Sequence, residues 1–367
     1  MTTTSQDQHG ASTQGAEPDP DRLMSFVFRA VEEVGSALNA ALVVMGDRLG
    51  YYRAMADHGP ITPQELADHT GSDVHYAREW LNCQAAGEYV RYDADTGRYI
   101  LPPEQVVAFT DPTSPAYLPG LFQIAHGTIR DTPQVVAAAG RGDGFGWHEH
   151  NSDVHEGTER FFAPSYRAHL VAEWLPACEG VVDKLTAGGT VADVGCGHGV
   201  STILMVQAFP RSRFVGSDYH EASIETARQR AEEAGVAGQI DFVTEAAQAV
   251  DGTGHDLVTT FDCLHDMGDP VGAARHIRGL VADDGTWMIV EPVAGDHVQD
   301  NFNPVGRAYY GFSTLLCTPT SLAQDVGLAL GTQAGPARIR DVVTSGGFTR
   351  FRLVAQTPFN NVFEARP

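Results

Sequence analysis

Lysine is almost missing from this chain. Lys184 is the only one, and arginine supplies the remaining positive charge. Acids outnumber bases strongly enough to leave a formal net charge of −23. Such a surface repels phosphate backbones and anionic membranes, so nucleic acid and membrane partners are both disfavoured. A neutral or cationic small ligand suits it better. Cysteine is scarce and scattered: Cys83, Cys178, Cys196, Cys263 and Cys317 form no C-x-x-C pair. That excludes a zinc knuckle and a disulfide framework, and reduced thiols in a cytoplasm are the default. No apolar run reaches the roughly 18 residues of a membrane span. The opening "MTTTSQDQHGASTQGAEPDPD" has neither a basic start nor an apolar stretch. It therefore reads as neither a secretory signal nor a transit peptide, and residues 1–20 are expected to be a disordered tail.

What is present falls into blocks. From Asp21 to about Met55 apolar residues recur at helical spacing, including Leu23, Val27, Val31, Leu38 and Met45. Thr62 can cap a short helix that Gly71 ends, and Ser72 or Asp73 can cap the next. "YVRY" and "RYIL" flank "DADTG", a hairpin signal. Helix, turn, helix and hairpin over residues 21–110 read as a winged helix. Residues 111–180 read as a helical cap. From residue 181 to 367 short β-rich runs ("TVADV", "RFVGSD", "IDFV", "DLVTTF", "TWMIVE") alternate with amphipathic segments. That alternation predicts an α/β fold with a doubly wound, mainly parallel sheet.

The most informative stretch is "VADVGCGHGVS", Val191 to Ser201. Gly195, Gly197 and Gly199 follow a strand and precede a helix. Bare backbone there lets a ligand lie against N–H groups at a helix start. Asp218 closes the next strand, where a carboxylate can grip ribose hydroxyls. A dinucleotide needs a later third glycine, and Val200 stands one place past the last one. Asp193, just before the turn, disfavours a pyrophosphate and suits the ammonium and sulfonium of S-adenosylmethionine. "VADVGCGHG" resembles motif I of class I S-adenosylmethionine-dependent methyltransferases, the D-x-G-x-G-x-G pattern. The resemblance implies a Rossmann-like domain. It implies cofactor contacts from Asp193, Gly195, Cys196, Gly197, Gly199, Asp218 and Tyr219, with Ala246 and Ala247 in "DFVTEAAQAV" beside the adenine.

"DLVTTFDCLHDMGDP" places Asp262 to Asp269 at the carboxyl edge of the sheet, where reactive groups gather in such folds. Its His265-Asp266 pair resembles the "HDW" segment of small-molecule O-methyltransferases. In that family the histidine is a general base, and a glutamate ending the fifth strand orients it; Glu291 in "MIVEP" matches. The resemblance implies catalytic roles for His265, Glu291 and Asp266, and cofactor contacts from Asp262, Phe162 and Tyr166. It also implies a homodimer through the N-terminal domain. Asp262 and Asp266 have an alternative use as caps for the helix after Pro270.

Trp147, Phe161, Phe162, Tyr166, Phe302, Tyr309, Tyr310 and Phe312 are candidates to roof a flat acceptor. "WHEHNSDVHEG" holds His148, His150 and His155 with Glu149 and Glu156, and is read as a polar loop of solvated histidines, so no metal is expected. Residues 21–110 carry 7 Arg against 13 Asp and Glu, a poor DNA reader. Two other readings stay open: an S-adenosylmethionine-binding transcriptional regulator that uses its winged helix on DNA, and a nitrogen or carbon methyltransferase working by proximity.

Overall fold

The computed structural model describes residues 17–367, so most of the expected N-terminal tail lies outside the described residues. The first helix, α1 (Pro20–Arg48), is capped by Asp19, whose carboxylate accepts from the N–H groups of Asp21 and Arg22. The helical pattern running to Met55 is interrupted: Gly50 adopts φ 72°, and α2 (Tyr51–His58) starts in a new direction. Periodicity alone could not show that break. Next come α3 (Pro63–Thr70) and α4 (Val74–Ala86). Thr62 and Glu65 form a reciprocal cap on α3, and Asp73 caps α4. The wing is the hairpin β1 (Arg91–Asp93) and β2 (Arg98–Ile100). Trp80 is the centre of this domain's core. Tyr51 and Tyr52 meet it edge-on, and its indole N–H donates to the Leu42 carbonyl.

The cap is built from α5 (Pro103–Thr110), α6 (Pro119–Arg130), α7 (Thr132–Arg141) and α8 (Ser152–His169). Helices α6 and α8 approach each other closely at Gly120 and Gly157. A Cβ at Gly120 would stand 2.4 Å from the Phe161 nitrogen, and one at Gly157 2.7 Å from that of Ile124. Close approach of this kind needs glycine on both helices.

The seven remaining strands are β3 (Thr190–Val194), β4 (Arg213–Asp218), β5 (Ile240–Thr244), β6 (His255–Phe261), β7 (Val281–Pro292), β8 (Arg350–Gln356) and β9 (Asn360–Arg366). They form one sheet in the order β5-β4-β3-β6-β7-β9-β8. The first five are parallel; β9 runs antiparallel to both β7 and β8. Central strands such as β3 and β6 are buried on both faces because helices cover both. One face packs on Leu170, Trp174, Phe214 and Ile224, the other on Ile277, Trp287, Ile339 and Phe348. Chain order reverses between β3 and β6. Ligand sites in open α/β sheets sit beyond the carboxyl ends of strands at such a point.

Candidate active site

A cavity opens at that point. Its volume is about 250 Å³, partly open to solvent, between the carboxyl ends of β3, β4 and β6 and the cap. Gly195, Cys196, Gly197, Asp218, Tyr219, Ala246, Ala247, Asp262, His265, Asp266, Phe162 and Tyr166 all line it. The turn after β3 runs through the left-handed region at Gly195 (φ 75°) and Gly197 (φ 51°). A Cβ at Gly197 would meet nothing within 4 Å, whereas one at Gly195 would lie 2.6 Å from the Cys263 sulfur. Gly199 caps the following helix and packs against Phe242, away from the cavity.

Asp218 is held by backbone. Its Oδ2 accepts from the Gly197 N–H at 3.0 Å and its Oδ1 from His220 at 2.9 Å. Burial pushes its carboxyl above the usual range, against those two bonds.

Asp193 is placed differently from the expectation. It is 1% exposed and does not line the cavity. Its Oδ2 accepts from Ser201 and Thr202 (2.7 and 2.6 Å), and its Oδ1 from Thr259 (2.8 Å). All three donors are neutral hydroxyls from the next helix and from β6. Asp193 therefore ties the glycine turn to its neighbours, and its charge reaches a ligand only through space.

His265 and Asp266 form a short 3-10 turn after β6, and Glu291 comes from β7 alongside. The Glu291 carboxylate accepts twice: from the Leu264 N–H at 3.0 Å and from His265 Nδ1 at 2.6 Å. His265 Nε2 lies 3.2 Å from Asp266 Oδ1. Burial pushes the imidazole down, but the Asp266 and Glu291 carboxylates raise it by more, so it sits well above an ordinary histidine. Asp266 and the thiol of Cys317 complete a group whose polar atoms lie within 4.8 Å of one another. Cys317 is buried and pushed up to about 11, a thiol rather than a thiolate.

Asp262 has a left-handed backbone (φ 50°). Its carboxylate accepts from the Tyr166 hydroxyl and the Asn360 amide, both at 2.8 Å. Burial, reinforced by the Glu291 charge, raises it to about 8. Neither Asp262 nor Asp266 caps the helix after Pro270. Asp269 does, accepting from the Gly272 N–H.

The histidine cluster is also corrected. The segment is a 3-10 turn (Trp147–Glu149) running into α8, not an open loop. His150 is buried against Asp131 at 2.9 Å, and the His155 ring sits 2.9 Å from the Trp147 carbonyl, beside the cavity. Of the aromatic candidates, Trp147, Phe161, Phe162, Tyr166, Tyr309 and Phe312 line the cavity; Tyr310 does not, and Phe302 is 75% exposed.

Sequence reasoning missed several participants. Glu159 on α8 bonds His198 of the glycine turn at 2.7 Å and also pairs with Arg230. Cys317, Thr332 and Asn360 arrive from segments 50 to 100 residues beyond the motifs, and no local spacing marks them.

The donor set fits S-adenosylmethionine. Asp218 faces the cavity at the carboxyl end of β4, and Glu245, Ala246, Ala247 and Gln248 also line it. Among the described residues neither arginine nor lysine lines the cavity, so no fixed cation would neutralise a diphosphate.

Comparison with known proteins agrees. Residues 185–325 match the family model described as a methyltransferase domain, and residues 37–111 the Rv2258c-like winged HTH domain. Human N-acetylserotonin methyltransferase, solved with S-adenosylmethionine, superposes with a TM-score of 0.68 at 16% identity, covering 96% of this chain and 99% of that one. Mitomycin 7-O-methyltransferase gives 0.67 at 17%, covering 95% and 100%. An O-methyltransferase family protein from Burkholderia thailandensis gives 0.66 at 16%, covering 93% and 97%. No curated protein sequence matches the chain significantly. The sheet order, the glycine turn with Asp218 and the two domain matches together show a class I S-adenosylmethionine-dependent methyltransferase fold behind an N-terminal winged-helix domain.

Proposed function

We propose that the chain methylates an oxygen of a small phenolic or enolic acceptor, with His265 as general base. S-adenosylmethionine, when bound, supplies an electrophilic methyl group on a sulfonium. Asp218 and the N–H groups around Gly197 would hold its nucleoside, and Ala246 and Ala247 would flank its base. The chain's own chemistry concerns the acceptor proton. A phenol has a pKa of about 10, so its oxygen is a weak nucleophile at neutral pH until deprotonated. Glu291 fixes the Nδ1–H tautomer and leaves the Nε2 lone pair for the acceptor hydroxyl. The imidazolium formed on proton transfer then lies between Glu291 and Asp266. Such base help is worth roughly 10²- to 10⁴-fold. The aromatic side chains of the cap and of the helix Pro304–Phe312 exclude water and stack on a flat acceptor.

The observation that carries this reading is the 2.6 Å Glu291–His265 contact at the cavity wall. Calorimetric titration with S-adenosylhomocysteine tests the cofactor site. A labelled-methyl screen of phenols and enols, run with the native protein and His265→Ala, tests the base. Unchanged turnover in the variant would remove that role. The nearness of Asp266 to Nε2 favours one competitor, in which His265 stays protonated and transfer proceeds by proximity alone.

The protein acts as a homodimer in this reading. The first half of α1 projects Leu23, Phe26, Phe28, Val31, Val34 and Leu38 into solvent, a stripe too apolar for a free surface. A second copy covers it. The winged helix, net negative, serves assembly rather than DNA. No described helix is long and apolar enough to cross a membrane, and a cytoplasmic setting is consistent with the five free thiols.

A further inference from the structure

His265 and Asp266 stand on a short turn, and a base is only as well aimed as the turn that carries it. Glu291 holds the start of that turn, accepting from the Leu264 N–H as well as from His265 Nδ1. The far end, Asp266 to Gly268, is held by a strap from much later in the chain, residues 320–329. Gln324 Oε1 accepts from the Gly268 N–H at 3.2 Å, and its Nε2 donates to the Asp266 carbonyl at 2.9 Å. One carboxamide thus spans Met267 and fixes the peptide groups on both sides of it. The Ser321 hydroxyl donates to the Met267 carbonyl at 2.8 Å, and the Leu328 N–H to the Gly268 carbonyl at 2.9 Å. The approach is close. A Cβ at Gly268 would stand 2.5 Å from Gln324 Cβ and 2.6 Å from the Asp325 carbonyl oxygen, so only glycine fits.

The strap keeps its own shape against strain. Val326 (φ 73°) and Ala329 (φ 49°) are left-handed, a state that a β-branched residue adopts only when its surroundings impose it. Those surroundings are the bonds to the turn, together with two inside the strap. Gln324 Nε2 also donates to the Thr320 carbonyl, and the Ala329 N–H to Ser321 Oγ, both at 3.0 Å. Strap and turn therefore stand as one unit, and Thr320 and Gln324 bring it to the cavity wall.

The consequence falls on His265. Glu291 meets its Nδ1, Asp266 Oδ1 lies 3.2 Å from its Nε2, and the Cys317 thiol and the Asp262 carboxyl are close by. Of these groups Asp266 is the one whose own carbonyl Gln324 binds. Releasing that carbonyl frees the peptide after Asp266 to rotate, and the carboxylate can then leave Nε2.

We propose that Gln324 is a positioning residue for methyl transfer: it clamps the turn across Met267 and so keeps Asp266 where it meets the imidazolium formed on His265. This rests on the reading of His265 as base and extends it to a residue outside both sequence motifs.

The test follows His265 by NMR in full-length protein labelled with carbon-13 at the histidine rings. Gln324→Met keeps the side chain's length and removes its hydrogen bonds. Its His265 is expected to titrate about one pKa unit below the native midpoint, as the Asp266 charge withdraws. Val326→Gly relieves strain in the same strap without touching the turn, and is expected to leave the midpoint in place. S-adenosylhomocysteine affinity, read by calorimetry, is expected to be unchanged in both variants. With an acceptor from the labelled-methyl screen, Gln324→Met is expected to lower kcat about tenfold, part of the roughly 10²- to 10⁴-fold that base help supplies, with KM for S-adenosylmethionine unchanged. An unmoved His265 midpoint in Gln324→Met, or an equal shift in Val326→Gly, overturns the proposal. So does rapid hydrogen exchange at the Gly268 N–H of the native protein, which is expected to be slow and needs no variant. Normal turnover in His265→Ala would instead remove the base reading; the NMR comparison still decides whether Gln324 sets the Asp266–His265 contact, so the two failures are distinct.

Discussion

Replacing Glu291 with glutamine keeps the side chain's size and its acceptor oxygen but removes a buried charge 2.6 Å from His265 Nδ1. Two unit charges about 4 Å apart interact by about 4 kcal/mol at an effective dielectric near 20. At about 1.36 kcal/mol per pKa unit, that sets an upper limit of about 3 units. A hydrogen bond to a charged group, at about 1.5–3 kcal/mol, corresponds to a lower range of about 1–2 units. His265 is therefore expected to titrate about 1–3 units lower in Glu291→Gln than in the native protein. Histidine labelled with carbon-13 at the ring allows direct observation by NMR, and His265→Gln identifies its resonance among the 15 histidines. No acceptor is needed. Stability gives a second reading of the same event. The folded-state pKa of His265 is raised, so the stabilisation is fully present below about 6.5 and is lost as pH rises through the folded value. The variant should lose it at lower pH. A His265 midpoint that stays put or rises in Glu291→Gln would refute the assignment of Glu291 as its charged partner.

Other consequences are as direct. Asp218→Asn should weaken S-adenosylhomocysteine binding by about ten- to a hundredfold, from the loss of a charged hydrogen-bond acceptor; calorimetry reads it, and unchanged affinity would place the ribose elsewhere. Gly197→Ala should cost about 1–2 kcal/mol for a left-handed alanine, while Gly195→Ala should cost more, because its methyl also meets Cys263 at 2.6 Å. Urea melts rank the two. Asp262, at about 8, binds its proton more tightly folded than unfolded, so stability should fall as pH rises from about 4 toward 8. Asp262→Asn should flatten that decline across denaturation midpoints. Leu23→Asp with Phe28→Asp should convert a sedimenting dimer into a 39.4 kDa monomer; a monomeric native protein at micromolar concentration ends the dimer proposal.

The parts of the fold that could be read ahead were those set by local chemistry. Thr62, Asp73 and the hairpin tip announced the winged helix because caps and tight turns are short-range. The sheet followed from runs buried on both faces, and the glycine turn from its need for positive φ. Gly50 was not legible as a break, because the apolar spacing continues across it. Within the site, Asp218, His265 and Glu291 lie at strand ends, where position in sequence implies position in space. Asp193 could be located but its partners could not: whether a buried acid meets a ligand or three hydroxyls depends on the packing of Ser201, Thr202 and Thr259. His150 was read as solvated for the same reason, since its partner Asp131 lies at another helix boundary.

Glu159 joins the cap to both the glycine turn, through His198, and the helix after β4, through Arg230. The cap cannot swing away from the sheet domain without separating these charged groups. The helix Pro304–Phe312 also lines the chamber through Tyr309 and Phe312, and its Arg307 reaches Glu33 on α1. A neighbouring subunit seated on α1 would therefore press, through that ion pair, on a helix that walls the chamber.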